Sequence, residues 1–73
     1  MELEKFIENV KDQFEDTNVS IDAATKFAEM DSWDSLTTML VIAMIKTDYD
    51  KDISASEIGE CETVLDLFNR VNS

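Results

Sequence analysis

DSLTTMLVIAMIKTDY, residues 34–49, is the stretch that decides the fold. Asp34 is a favoured N-cap residue type, and neither glycine nor proline interrupts the run from Ser35 to about Tyr49, so the pattern predicts a helix there. Two apolar stripes run along that helix. One contains Thr38, Val41, Ile42, Ile45 and Tyr49; the other, on the opposite side, contains Leu36, Met39, Leu40 and Ala43. A small bundle can bury one stripe. The second is left for another use.

Upstream, Leu3, Phe6, Ile7, Val10 and Phe14 follow the spacing of a single helical stripe and predict a first helix. Residues 15–33 have no clean period. Val19, Ile21, Ala23, Ala24, Phe27 and Met30 are scattered there among polar residues, as expected for a long loop pinned across a core, with room for one short helical turn. Downstream, Asp50-Lys51-Asp52 is a polar break. Ser54-Ala55-Ser56-Glu57 matches a capping box and opens a short helix that carries Ile58 and ends near Gly59. Thr63-Val64-Leu65-Asp66 is a weaker capping signal for a last helix with the stripe Val64, Leu67, Phe68 and Val71. The expectation is an all-α fold, a small four-helix bundle of three main helices and one short one with a long first loop.

The 73 residues suffice for one domain, 1–73. Six basic residues face seventeen acidic ones, giving a formal charge of -11 and a pI near 4.1. Nucleic acid and anionic membranes are disfavoured, because both require a basic footprint. Basic partners are favoured instead, although a plain solubilising surface accounts for the charge equally well. Cys61, the one cysteine, excludes an internal disulfide and reads as a small, partly buried apolar residue. No apolar run approaches a membrane span and no signal peptide is recognised at the start, so a cytoplasmic location is expected.

The absence of histidine removes Ser-His and Cys-His nucleophilic arrangements and the commonest zinc ligand. One glycine cannot build a phosphate-cradling glycine loop. Asp48-Tyr49-Asp50-Lys51-Asp52 imitates the start of a calcium loop, but Ile53 stands where the sharp turn needs glycine and Gly59 where the bidentate glutamate belongs. No catalytic residue and no metal site are therefore expected.

What remains is Asp34-Ser35-Leu36, a serine opening the second main helix of a short acidic chain, with a long loop before it. In that setting the chain resembles the acyl carrier protein family. Phe27-Ala28-Glu29 resembles the segment in which an aromatic anchors the long loop. Leu36 to Tyr49 with Asp50-Lys51-Asp52-Ile53 is similar to the family's second helix and its exit, and Thr63-Val64 with Leu67-Phe68 to its last helix. The likeness covers essentially the whole chain.

The resemblance implies a carrier, not an enzyme. A phosphopantetheinyl transferase would attach 4'-phosphopantetheine from coenzyme A to the Ser35 hydroxyl, with Asp34 and Leu36 flanking it. The arm's thiol, not Cys61, would hold acyl intermediates for loading and processing enzymes of fatty acid or related lipid or secondary-metabolite biosynthesis. The protein would act as a monomer.

Three departures from the family pattern bear on this. Ser32 and Trp33 replace a common glycine and small residue; Trp33 suits either packing against the bundle or anchoring a partner, and the Trp-Asp-Ser-Leu form looks more like carriers of specialised pathways. Leu40, Lys46 and Thr47 occupy outer positions that are usually acidic, so partners are expected to dock on Leu36, Met39, Leu40 and Ala43 by apolar contact. Met44 with Ile42, Ile45, Ile58 and Phe68 suits ordinary packing or the sheltering of an acyl chain. Two alternatives stand beside the acyl carrier: a carrier for an amino acid or specialised acyl group, and an unmodified acidic adaptor for a basic protein.

Overall fold

A computed structural model describes residues 2–14 and 19–72. Four helices follow in order: α1 (Leu3–Lys11), α2 (Ser35–Tyr49), α3 (Ala55–Gly59) and α4 (Val64–Asn72). A single 3-10 turn, Phe27–Glu29, interrupts the first connection, and the described residues contain no strand. This is the expected small all-α bundle. Residues 15–18 of the long first loop lie outside the described residues.

α1 packs on α4 and α2, and α2 packs on α3. Phe6 and Val10 of α1 are fully buried, and the chain turns beyond Lys11 so that Phe14 is buried after the helix has ended. Phe6 is the aromatic hub: its ring centroid lies 5.6 Å from Tyr49 and 5.4 Å from Phe68, an edge-on contact. The Tyr49 hydroxyl accepts a hydrogen bond of 2.7 Å from Asn9 Nδ2, tying α1 to the far end of α2. Val41, Ile45, Ile58, Val64, Leu67 and Val71 complete the centre.

The first loop is held by local chemistry. Asp22 Oδ1 accepts from the Ala24 N–H at 2.9 Å and the Thr25 hydroxyl at 3.2 Å, a turn that aims two carbonyls at the start of α4. The Ala23 and Thr25 carbonyls accept from the Leu65 and Val64 N–H groups at 3.0 and 3.1 Å. The remaining early N–H of α4, on Asp66, donates to Thr63 Oγ1, while Asp66 Oδ2 accepts in return from the Thr63 and Glu62 N–H groups. The weaker capping signal is thus a reciprocal cap, and the loop satisfies what that cap leaves over. The short helix α3 has the full capping box between Ser54 and Glu57.

Candidate functional site

α2 begins at Ser35 because Asp34 caps it. Asp34 has extended backbone angles, and its Oδ1 accepts from the Thr37 N–H at 2.8 Å and from the Thr37 hydroxyl at 2.9 Å. The Ser32 carbonyl, 3.3 Å away, is a second acceptor for that hydroxyl. These bonds, the Thr37 backbone first and its side chain next, hold the Asp34 carboxyl below its usual value of 3.8.

Ser35 is the first helical residue and is exposed. Its N–H and that of Leu36 precede any intrahelical acceptor, so the hydroxyl stands at the positive end of a 15-residue helix dipole. A phosphodiester on that exposed residue would meet the first N–H groups of the helix and favourable potential. The chemistry of the position fits a phosphopantetheine tether.

The segment before Ser35 is fixed by aromatic contacts. Phe27, 1% exposed, anchors the loop, and Trp33 meets it edge-on at 4.8 Å and lies 5.9 Å from Phe14. Trp33 is half-buried, so its ring packs inward and does not stand out as an anchor.

The second stripe of α2 faces solvent: Leu36, Met39 and Leu40 are 49%, 66% and 37% exposed, and Ala43 is exposed beside them. Burial of this helix on every side is thereby excluded. The core-facing stripe needs a correction. Thr37, 3% exposed, and Met44 are buried with Val41 and Ile45, whereas Thr38, Ile42 and Tyr49 lie at the margin. Thr37 tolerates burial because the cap satisfies its hydroxyl; Thr38 instead donates its own hydroxyl to the Asp34 carbonyl at 3.0 Å. Three residues after an N-cap aspartate is the position such a cap reaches, and that was the available signal for Thr37.

Cys61 is buried, as its size suggests, and its thiol lies 3.5 Å from the Glu57 carbonyl oxygen. Burial pushes the thiol up from 9.0, which makes it a poor nucleophile.

In comparison with known proteins, a family profile described as the phosphopantetheine attachment site matches residues 4–71. No curated protein and no solved structure matches the chain. The profile spans nearly the full 73 residues and therefore all four helices and the junction around Ser35. Carrier domains of this kind bind transferases and acyl-processing enzymes and catalyse nothing themselves. An all-helical bundle under a profile of that length leaves one assignment: the chain belongs to the phosphopantetheine attachment-site family, a carrier domain of the acyl carrier kind whose prosthetic group is 4'-phosphopantetheine.

Proposed function

We propose that this chain is an acyl carrier with its arm on Ser35, serving fatty acid or related lipid or secondary-metabolite biosynthesis. One observation carries the choice of residue: the Ser35 hydroxyl is exposed at the mouth of α2, on a junction made rigid by the Asp34–Thr37 cap and the Phe27–Trp33 contact. In the attachment step the Ser35 oxygen forms a bond to the β-phosphorus of coenzyme A. The P–O bond to the adenosine bisphosphate breaks, and the hydroxyl proton passes to a base of the transferase, so this chain needs no histidine of its own. When bound, the arm supplies a terminal thiol on which acyl groups are held as thioesters.

Asp34 orients the serine through its cap on Thr37, and its carboxylate helps to position basic side chains or the metal ion of the transferase. Leu36, Met39, Leu40 and Ala43 form the face on which processing enzymes dock, joined by apolar contact in place of the usual charge pairing. The 73 residues act as one monomeric carrier unit in the cytoplasm.

Incubation with coenzyme A and a phosphopantetheinyl transferase, read by intact-mass spectrometry, tests the assignment. A gain of one phosphopantetheine that Ser35→Ala abolishes is expected. No gain with several competent transferases would favour the adaptor reading, and a gain that survives Ser35→Ala would move the arm to another residue.

A further inference from the structure

Trp33, the one tryptophan of the chain, stands two residues before the proposed attachment serine. Three segments meet at its ring. The ring centroid lies 4.8 Å from Phe27, in the 3-10 turn, and 5.9 Å from Phe14, just beyond α1. Phe14 and Trp33 stand at opposite ends of the first connection, so their contact closes that loop next to Ser35. Both phenylalanines are buried and give the half-buried indole a fixed platform.

The backbone carries this anchoring forward to the serine. The Glu29 N–H donates to the Lys26 carbonyl at 3.1 Å, Met30 to Phe27 at 3.1 Å, and Trp33 to Met30 at 3.0 Å. Beyond Trp33 only Asp34 intervenes, and Asp34 is held by its cap on Thr37. The Thr37 hydroxyl also lies 3.3 Å from the Ser32 carbonyl, so residues on both sides of Trp33 are tied to the first turn of α2. The cap fixes the serine from the helix side. Trp33 fixes it from the loop side.

We infer that Trp33 is a positioning residue for arm transfer: packed on Phe14 and Phe27, it holds the backbone before Ser35 so that the hydroxyl is presented in one orientation. This rests on the reading of Ser35 as the tether. Transfer needs the serine oxygen roughly in line with the breaking P–O bond of coenzyme A. A chain free to pivot before the helix reaches that arrangement less often, which slows the bound complex. An indole that served as a contact for the transferase would act through affinity instead, and kinetics separate the two roles.

The test compares Trp33→Leu, Trp33→Phe and Phe14→Leu as acceptors of the arm from coenzyme A with one phosphopantetheinyl transferase, well below every melting temperature. Intact mass first shows whether the wild type gains its arm, and absence of that gain removes the tether reading and this inference with it. Once transfer is established, Trp33→Leu should lower kcat about tenfold and leave KM for the carrier within about twofold. Trp33→Phe, which keeps an aromatic edge, should recover most of the loss. Phe14→Leu removes the partner ring from the far end of the loop and should also lower kcat, which keeps the inference open to refutation even where Trp33→Leu fails to fold. Ile58→Val, a buried change in α3, controls for lost stability and should leave kcat unchanged. Wild-type kcat in Trp33→Leu or in Phe14→Leu, a raised KM at unchanged kcat, or an equal slowing by Ile58→Val would overturn the inference while leaving Ser35 as the attachment site.

Discussion

Asp34 and Thr37 are joined twice through one carboxylate oxygen, which accepts the Thr37 N–H at 2.8 Å and its hydroxyl at 2.9 Å. The pair sets where α2 starts and therefore where the Ser35 oxygen stands. Thr37→Val keeps the shape and removes the hydroxyl. It should cost about 1 kcal/mol by denaturant melting, and it should slow arm transfer to Ser35 with Thr37→Ser restoring both. An unchanged transfer rate in Thr37→Val would show that the latch does not position the serine.

Acid should dissolve two caps. Hydrogen bonds lower the Asp34 carboxyl, chiefly through Thr37, and the Asp66 carboxyl, chiefly through the Thr63 and Glu62 N–H groups. A depressed folded value means that the stabilisation is complete above the ordinary aspartate range and is lost as pH falls through the folded values. The melting-temperature gap between the wild type and Asp34→Ala or Asp66→Ala should therefore be widest near neutrality and close below about pH 4. A gap of constant width down to about pH 3 would contradict this origin.

Leu40 separates docking from packing. It is only partly covered, so Leu40→Glu should leave stability within roughly 0.5 kcal/mol. Its affinity for a processing enzyme should fall about tenfold, equal to ~1.4 kcal/mol, in a titration monitored by calorimetry. Unfolding of the variant would place Leu40 in the core, and unchanged affinity would remove it from the docking face.

Cys61 offers a count of thiols. It is buried and its thiol is pushed up, so a thiol reagent at neutral pH should find no fast-reacting group in the unmodified protein. Attachment of the arm should add one fast thiol, and denaturation one more. Rapid labelling of the unmodified native protein would show that Cys61 is accessible.

A formal charge of -11 on 73 residues predicts self-repulsion. Added salt, which shortens the screening length to about 10 Å at 0.1 M, and magnesium ions should both raise the melting temperature. Indifference to both would mean that the charges lie too far apart to matter.

Residues 34–49 by themselves determined the second helix, its cap and the serine at its mouth, and they revealed an apolar stripe with no place in a small core. These features depend on neighbours within one or two turns, where residue spacing dictates which side chains share a face. The capping box at Ser54 and the weaker capping signal at Thr63 were legible for the same reason, whereas the anchoring of the loop by Phe27 followed from the family resemblance. Thr37, three residues after the Asp34 cap, was within reach of the same local rule, although the stripe reading had placed Thr38 inside instead. Tertiary packing alone decided that Trp33 turns inward onto Phe27 and Phe14, and that the Ala23 and Thr25 carbonyls complete α4. It brought Lys51 and Ile53 across from Met39 and Ile42 to form a groove. Each of these joins groups that no helical period relates, so their geometry exists only once the helices have packed.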